Sequence, residues 1–305
     1  MIDTLDKAAL SRRVRELARE RNAVLLAHNY QIGEVQDVAD FVGDSLELSR
    51  KAAAVGQDVI VFCGVHFMAE TASLLAPGKI VLLPDEHAGC PMADMITAPE
   101  LEAWKARHPG RPVVCYVNTS AAVKAGCDVC CTSSNAVQVV ESLPDPEVLF
   151  APDRNLADFV ARRTTKTIIP WDGHCYVHNN IRARDVLEKK ALHPGAEVWA
   201  HPECRPEVAD LADQVLSTGQ MVREAPGTAA REIILATEPG IIHRLKKDSP
   251  GKAFYPARDG IYCLNMKKIT LRKVYHALDR MAPRVSVPPD IAERARGAIE
   301  KMVKL

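Results

Sequence analysis

The feature that most constrains the fold of this chain is an internal repeat. The segments "VLLAHNY" (24–30), "VVCYVNT" (113–119) and "EVWAHPE" (197–203) fall into one register when the sequence is shifted by 88 and then by 85 residues. These shifts align His28 with Tyr116 and His201, and Tyr30 with Asn118 and Glu203. They also align Ser45, Ser133 and Thr218, and then Phe62, Phe150 and Leu235 in a second strand-like run. Self-similarity at one period indicates that a single structural unit occurs three times.

The composition of each repeat indicates its fold class. Short β-branched runs alternate with amphipathic stretches, which is typical of parallel α/β units. The helical stretches that precede the second and third units both end in "HPG" (108–110 and 193–195), where proline and glycine stop a helix. We therefore predict an α/β fold of three homologous units with small parallel sheets, three-layer, arranged with pseudo-threefold symmetry around a central cavity. The predicted units are 1–95, 96–180 and 181–270, with a C-terminal helix in 271–305 packing back on the first.

Charge and length exclude several classes of partner. The 305 residues carry 39 Lys+Arg and 39 Asp+Glu, so no net field attracts nucleic acid or an anionic membrane. No run approaches the roughly 20 apolar residues of a membrane span, and no basic segment followed by an apolar stretch opens the chain. We expect a cytoplasmic protein that acts on small molecules and binds neither nucleic acid nor membrane.

Nine cysteines are an odd number, which argues against a disulfide framework and in favour of metal ligation, catalysis or packing. Three of them follow the repeat, because the runs "KIVLLP", "KTIIPW" and "KAFYPA" each precede one cysteine by a few residues. These are Cys90, Cys175 and Cys263. Each unit thus contributes one thiol from an equivalent place.

Parallel strands present ligand-binding residues just beyond their carboxyl ends. Three units facing inward would place three pairs around one cavity, namely His28 and Tyr30, Tyr116 and Asn118, and His201 and Glu203. Three converging thiolates would suit a [4Fe–4S] cluster with one iron left without a protein ligand, which can act as a Lewis acid. This arrangement favours hydro-lyase chemistry.

The remaining cysteines fit packing better than ligation. "GCDVCC" (126–131) places Cys127, Cys130 and Cys131 close together, but we predict that it lies in a helical stretch without a counterpart in the other units. Free cysteine often fills a core as a small hydrophobe. Cys63 and Cys115 fall inside predicted strands, and Cys204 lies beside Glu203 but is not repeated.

Most of the chain, from about residue 27 to residue 271, resembles the quinolinate synthase family. The motifs that carry the resemblance are "AHNYQ", "GDSLELS", "GCPMADM", "YVNTSAAVKA", "CCTSSNAV", "HPEC", "STGQM", "TEPGIIHRL" and "NMKKIT". The resemblance implies an enzyme of NAD biosynthesis that condenses iminoaspartate with dihydroxyacetone phosphate to quinolinate, releasing phosphate and two waters. It also implies a functional link to an aspartate-oxidising enzyme that supplies iminoaspartate. Some members carry further cysteines near the C-terminus; none follows Cys263 here, so no disulfide switch is expected there.

The resemblance also implies residue roles. Its cluster ligands map onto Cys90, Cys175 and Cys263, the same three that the repeat indicates. Its catalytic residues map onto His28, Tyr30, Tyr116, His201 and Glu203, with Asn118 among the substrate contacts. Its anion-holding hydroxyls map onto Ser45, Ser133, Ser217 and Thr218.

The residue types agree with that chemistry. Both substrates are anions, and hydroxyls with backbone N–H groups at helix starts can bind them where few basic residues are present. Ring formation moves several protons, for which Glu203, Tyr30 and the two histidines are the available groups. Lys267 and Lys268 could contact substrate, although surface lysines on a helix are commoner.

Three alternatives remain to be weighed. "GDSL" (43–46) also marks a family of serine hydrolases, but those enzymes need a later Asp-x-x-His, and none of the ten histidines has aspartate three residues before it. An iron–sulfur sensor or electron carrier would need a partner-binding module or a fourth ligand, and neither is evident. Another aconitase-like hydro-lyase acting on a small carboxylate is the alternative enzyme.

Overall fold

The computed structural model describes residues 5–305 as three four-stranded parallel sheets with interleaved helices. In the first unit the order is α1 (Lys7–Glu20), β1 (Ala23–His28), α2 (Gly33–Val38), β2 (Phe41–Gly43), α3 (Ser45–Ala54), β3 (Val59–Cys63), α4 (His66–Leu75) and β4 (Ile80–Leu82). A 3-10 turn over Ala93–Met95 leads to the second unit.

The second unit repeats this order. It contains α5 (Ala98–Arg107), β5 (Val113–Tyr116), α6 (Ala121–Lys124), β6 (Val129–Cys131), α7 (Ala136–Glu141), β7 (Glu147–Ala151), α8 (Arg154–Ala161), β8 (Thr167–Pro170) and α9 (Tyr176–Asn179). Helix α5 ends just before "HPG", as predicted.

The third unit and the C-terminal helices complete the chain. They are α10 (Ala183–Leu192), β9 (Glu197–Ala200), α11 (Pro206–Ala209), β10 (Gln214–Val215), α12 (Thr218–Glu224), β11 (Glu232–Ala236), α13 (Ile241–Asp248), β12 (Ala253–Pro256), α14 (Leu271–Arg280) and α15 (Pro289–Lys304). A 3-10 turn over Met266–Lys268 precedes α14.

The sheets confirm the repeat register. Their strand orders are β2-β1-β3-β4, β6-β5-β7-β8 and β10-β9-β11-β12, the same topology three times. The central strand pairs align Leu26 with Phe62, Val114 with Phe150, and Trp199 with Leu235, which are equivalent positions under the shifts of 88 and 85. The two central strands of each sheet are almost entirely buried, as expected for parallel strands covered on both faces.

A repeated aspartate fixes the start of each central strand. The carboxylates of Asp40, Asp128 and Asp213 accept the backbone N–H of Leu25, Val113 and Val198 at 2.8, 2.7 and 2.7 Å. The acceptor lies 15 residues after the donor in every unit. The local connections are therefore as repetitive as the topology.

The prediction that "GCDVCC" is helical was wrong. Cys130 and Cys131 lie in β6, paired with Cys115 and Tyr116 of β5, and Cys127 follows α6. The short apolar run is buried on both faces, and such a run has no periodicity that separates strand from helix. The strand has counterparts in β2 and β10, although neither contains a cysteine.

The segment 271–305, predicted as a C-terminal helix, forms two helices. The prolines at 283 and 288 lie in the linker between them, which cannot continue a helix. Helix α14 packs against α1 and β3 of the first unit, and α15 packs against α4 but also against α6 and β6 of the second. We retain the unit boundaries at 95, 180 and 270 as a proposal. Within residues 5–305, no helix combines the length and the apolar character needed to cross a membrane.

Candidate active site

One cavity receives side chains from all three units. Twelve predicted residues line it: His28, Tyr30, Ser45, Cys90, Tyr116, Asn118, Ser133, Cys175, His201, Glu203, Thr218 and Cys263. Ser217 is the exception, because it is fully buried behind the wall, where its hydroxyl accepts the N–H of Gln220 and caps α12. The repeat thus brings the carboxyl ends of the central strands to one place.

Two histidines are held in the same way at equivalent strand ends. The backbone N–H of Tyr30 donates to His28 Nδ1, and that of Glu203 donates to His201 Nδ1, each at 3.2 Å. An accepting Nδ1 leaves the proton of a neutral imidazole on Nε2. Burial lowers the pKa of His28 to about 4 and that of His201 to about 3, so both rings are neutral at pH 7.

Glu203 is the centre of a buried polar network. Tyr116 Oη donates to its Oε1 at 2.5 Å, and His178 Nδ1 lies 2.6 Å from its Oε2. Burial alone would raise the pKa of Glu203, but His178, followed by His201 and the Tyr116 hydroxyl, holds it well below its usual range. The carboxylate is therefore ionised although its residue is only 3% exposed.

His178 extends this network to the first unit. Its Nε2 lies 3.0 Å from Thr237 Oγ1 and 3.2 Å from Tyr30 Oη, and these two hydroxyls lie 2.6 Å apart. The ring also stacks on His201 with a centroid separation of 4.5 Å. Burial, together with the charge of Glu203, raises the pKa of Tyr30 and Tyr116 well above 10, so both phenols carry protons. A continuous path of exchangeable protons joins Tyr116 to Tyr30.

The hydroxyls lie on a second side of the cavity. Ser45 is the first residue of α3, Thr218 is the first residue of α12, and Ser133 precedes α7. Asn29 Nδ2 lies 3.1 Å from Thr218 Oγ1, which fixes that side chain. Among the described residues, buried Asn118 Oδ1 has no hydrogen-bond partner, although Asn118 lines the cavity. An unpartnered amide oxygen at this position is available to a ligand.

Behind these hydroxyls, one residue from each unit meets at a polar junction. Ser134 Oγ donates to Asp44 Oδ2 at 2.6 Å and lies 2.9 Å from Ser217 Oγ. Asp44 also caps α3 by accepting the N–H groups of Leu46 and Glu47. Ser217 therefore supports the site from behind.

The repeated cysteines lie on the same cavity, at the start of short turns. Backbone N–H groups two or three residues ahead point to each sulfur: those of Met92 and Ala93 to Cys90, of His178 to Cys175, and of Asn265 and Met266 to Cys263. Burial raises the pKa of Cys90 to about 12 and raises the pKa values of Cys175 and Cys263 as well, so the free thiols hold their protons. Three thiols from three units with N–H donors on the sulfurs are a donor set that fits an iron–sulfur cluster.

The full sequence matches the family described as "NadA: Quinolinate synthetase A protein" over residues 12–304. A protein of Dehalococcoides mccartyi strain CBDB1 named quinolinate synthase is 56% identical over 296 residues, which cover 97% of this chain and 98% of that protein. A quinolinate synthase of Methanoregula boonei is 55% identical over 300 residues, covering 98% and 99% of the two chains. This chain belongs to the quinolinate synthetase A family. The resemblance seen in the motifs is confirmed.

Members of the quinolinate synthetase A family are enzymes of NAD biosynthesis, and the function of this chain is that of a quinolinate synthase. This agrees with the enzyme predicted from the sequence and disfavours another hydro-lyase. A Geobacter metallireducens relative with the same name is 52% identical over 296 residues, 97% of each chain. The similarity therefore extends over the whole cavity and not over one motif.

Sequence reasoning missed several residues of this quinolinate synthase site. His178 was not singled out because it has no repeat counterpart, although "CYVH" places it three residues after Cys175, one helical turn away. Its Nδ1 lies 3.2 Å from Cys175 Sγ, and Cys175, His178 and Glu203 together form a group able to hold a metal ion. Asp44 and Glu238 also line the cavity.

The two lysines in "NMKKIT" are tied to backbone groups. Lys267 pairs with Glu238 at 2.8 Å and donates to the carbonyl of Tyr30, and Lys268 donates to the carbonyl of His87. Neither lysine is among the described residues that line the cavity.

Proposed function

We propose that this quinolinate synthase condenses iminoaspartate with dihydroxyacetone phosphate to quinolinate, with loss of phosphate and two waters, using a [4Fe–4S] cluster held by Cys90, Cys175 and Cys263. The observation that carries the proposal is the meeting of these three thiols with an ionised Glu203 and two neutral histidines on one cavity. When bound by three thiolates, such a cluster supplies a Lewis acid through the iron that lacks a protein ligand.

Both substrates are anions, and the residues that line the cavity in the described part of the chain include no lysine or arginine. We assign anion binding to the hydroxyls of Ser45, Ser133 and Thr218, with Ser217 and Ser134 supporting them from behind. The amide of Asn118 offers a further polar contact. Neutral donors bind phosphate and carboxylate without a fixed positive charge, which lets phosphate leave after the condensation.

The proton transfers fall to the residues around Glu203. Condensation removes protons from carbon and nitrogen, and the ionised Glu203 carboxylate is the group able to accept them. Each hydroxyl that leaves as water must gain a proton, and His28 Nε2–H, His201 Nε2–H, Tyr30 Oη–H and Tyr116 Oη–H are available donors. The path through His178 lets a proton taken up at Glu203 return at Tyr30, so none has to be exchanged with solvent within a step.

Iminoaspartate carries an imine that water hydrolyses. We propose that an aspartate-oxidising enzyme forms it close to this site, as the family resemblance implies. The partner is thus an enzyme that delivers a small molecule and not a permanent subunit.

The test is an anaerobic assay. Protein purified without oxygen is analysed for iron, sulfide and the electron paramagnetic resonance of the reduced cluster, and quinolinate is quantified with both substrates present. We expect about four irons per chain and quinolinate only when iminoaspartate and dihydroxyacetone phosphate are both supplied. Iron-loaded protein that forms no quinolinate would refute the proposed reaction, and quinolinate formed by iron-free protein would refute the proposed cofactor.

A further inference from the structure

Two buried carboxylates stand at one repeated position behind the cysteines. Asp153 and Glu238 each lie two residues beyond a central strand, β7 or β11, and are 85 residues apart, as the repeat requires. Both are fully buried, at 0% exposure. Buried carboxylates are retained where they are fully hydrogen-bonded, so their partners indicate what they do.

Asp153 holds the loop of the second unit. Its Oδ2 accepts the backbone N–H of Cys175 at 3.0 Å, while its Oδ1 accepts the N–H of Leu156 at 2.8 Å and caps α8. Hydrogen bonds to an ionised acceptor are about twice as strong as neutral ones. The backbone of Cys175 is thereby fastened to a rigid helix start.

Glu238 does the same in the third unit, with one addition. Its Oε1 accepts the N–H of Cys263 at 3.2 Å and its Oε2 accepts the N–H of Gly240 at 2.7 Å. Its Oε1 also lies 2.8 Å from Lys267 Nζ. Only glycine fits at 240, because a Cβ there would meet the Glu238 carboxylate and Lys267 Nζ at 2.7 Å.

The three units differ in how the cysteine loop is tied. In the first, the repeated position is Val65, which cannot accept a hydrogen bond, and the loop is tied by the N–H of His66 to the carbonyl of Ala88 at 2.8 Å. The second unit has the equivalent bond, from Arg154 N to Gly173 O at 2.9 Å, in addition to Asp153. The third has Pro239 at that place, and proline has no N–H to donate. Its loop therefore depends most on the carboxylate.

We propose that Asp153 and Glu238 are positioning residues that fix the backbone of Cys175 and Cys263 so that their thiolates meet the metal. This rests on the proposed function, because it takes these cysteines as ligands. Groups that orient metal ligands typically change metal affinity or activity by 10- to 100-fold when altered. Because only the third unit lacks the backbone tie, Glu238 matters more than Asp153.

The test uses isosteric variants, Asp153→Asn and Glu238→Gln. An amide has one oxygen that accepts, so one of the two N–H groups held by each carboxylate loses its partner. We expect both anaerobic proteins to take up a cluster but to release iron to a chelator about 10- to 100-fold faster than the unchanged protein. The larger effect is expected for Glu238→Gln, with a changed resonance spectrum and faster amide exchange in the peptides that contain the affected cysteine.

Asp213→Asn is the matched control. It also removes a carboxylate that accepts a backbone N–H in the third unit, but at the opposite end of the central strand, so iron release should not change. Each carboxylate lies in its own unit, so Glu238→Gln decides the question if Asp153→Asn does not fold. Iron release and amide exchange equal to the unchanged protein would overturn the inference. If the unchanged protein takes up no iron, the proposed cofactor falls, and exchange in the two cysteine peptides of the apoproteins then decides whether the carboxylates hold them.

Discussion

Replacing Glu203 with glutamine tests the centre of the proton network. The substitution keeps the size of the side chain and removes its charge. The introduced amide has one accepting oxygen for the two groups that now reach the carboxylate, Tyr116 Oη at 2.5 Å and His178 Nδ1 at 2.6 Å. One of these buried donors is left facing an amide NH2.

The magnitude follows from burial and from the role of the group. A buried donor that loses its partner costs about 1–3 kcal/mol, so the free energy of unfolding should fall by at most that amount. Loss of a general acid–base group typically lowers turnover by about 10² to 10⁴. At 1.36 kcal/mol for each factor of ten, this corresponds to about 3–5 kcal/mol of the activation free energy. The effect on turnover should therefore exceed the effect on stability.

The assay is anaerobic quinolinate formation, measured beside thermal unfolding and the cluster spectrum. Glu207→Gln is the control, because it makes the same change four residues later on an exposed side chain paired only with Arg205 at 3.7 Å. We expect Glu203→Gln to keep its cluster and to lose at least about a hundredfold in turnover, while the control stays near the unchanged enzyme. Turnover within a few fold of the unchanged enzyme, with an intact cluster, would refute the role of Glu203 in proton transfer and move that role to Tyr30 and the histidines.

Three further predictions concern the metal and the core. Serine at any one of the three repeated cysteines should abolish cluster binding, whereas Cys130→Ser should leave about four irons bound because Cys130 lies buried in β6; iron analysis showing the reverse would overturn the ligand assignment. Air should inactivate the enzyme with release of iron, and bound substrate should slow this by occupying the open iron, so full activity after prolonged aeration would contradict an open coordination site. Ile299→Ala on the buried face of α15 should lower the free energy of unfolding by about 2–5 kcal/mol in denaturant titration, while exposed Glu293→Ala should change it little; equal effects would mean that α15 contributes nothing to the core.

Three features of the protein depend on contacts that local sequence does not encode. The strand at Cys130 and Cys131 forms because pairing with β5 and burial on both faces override a run too short to show a period. His178 joins Glu203 across units through α9, a contact with no trace in the repeat because only one unit has the residue. The segment 271–305 divides into two helices that reach two units, a choice made by packing surfaces far apart in the chain.

The amino-acid pattern was enough to predict the repeat, and with it the three parallel sheets and the alignment of their central strands. That follows because the side chains of each unit bury the same faces, so equal patterns at steps of 88 and 85 residues must give equal sheets. It also places His28, Tyr116, His201 and the repeated cysteines at equivalent ends, and the carboxyl ends of parallel strands face one crevice. Which groups touch inside that crevice depends on the docking of the units. Hydrogen-bond partners such as Tyr116 and Glu203 lie 87 residues apart, and no local pattern encodes a distance of 2.5 Å between two such side chains.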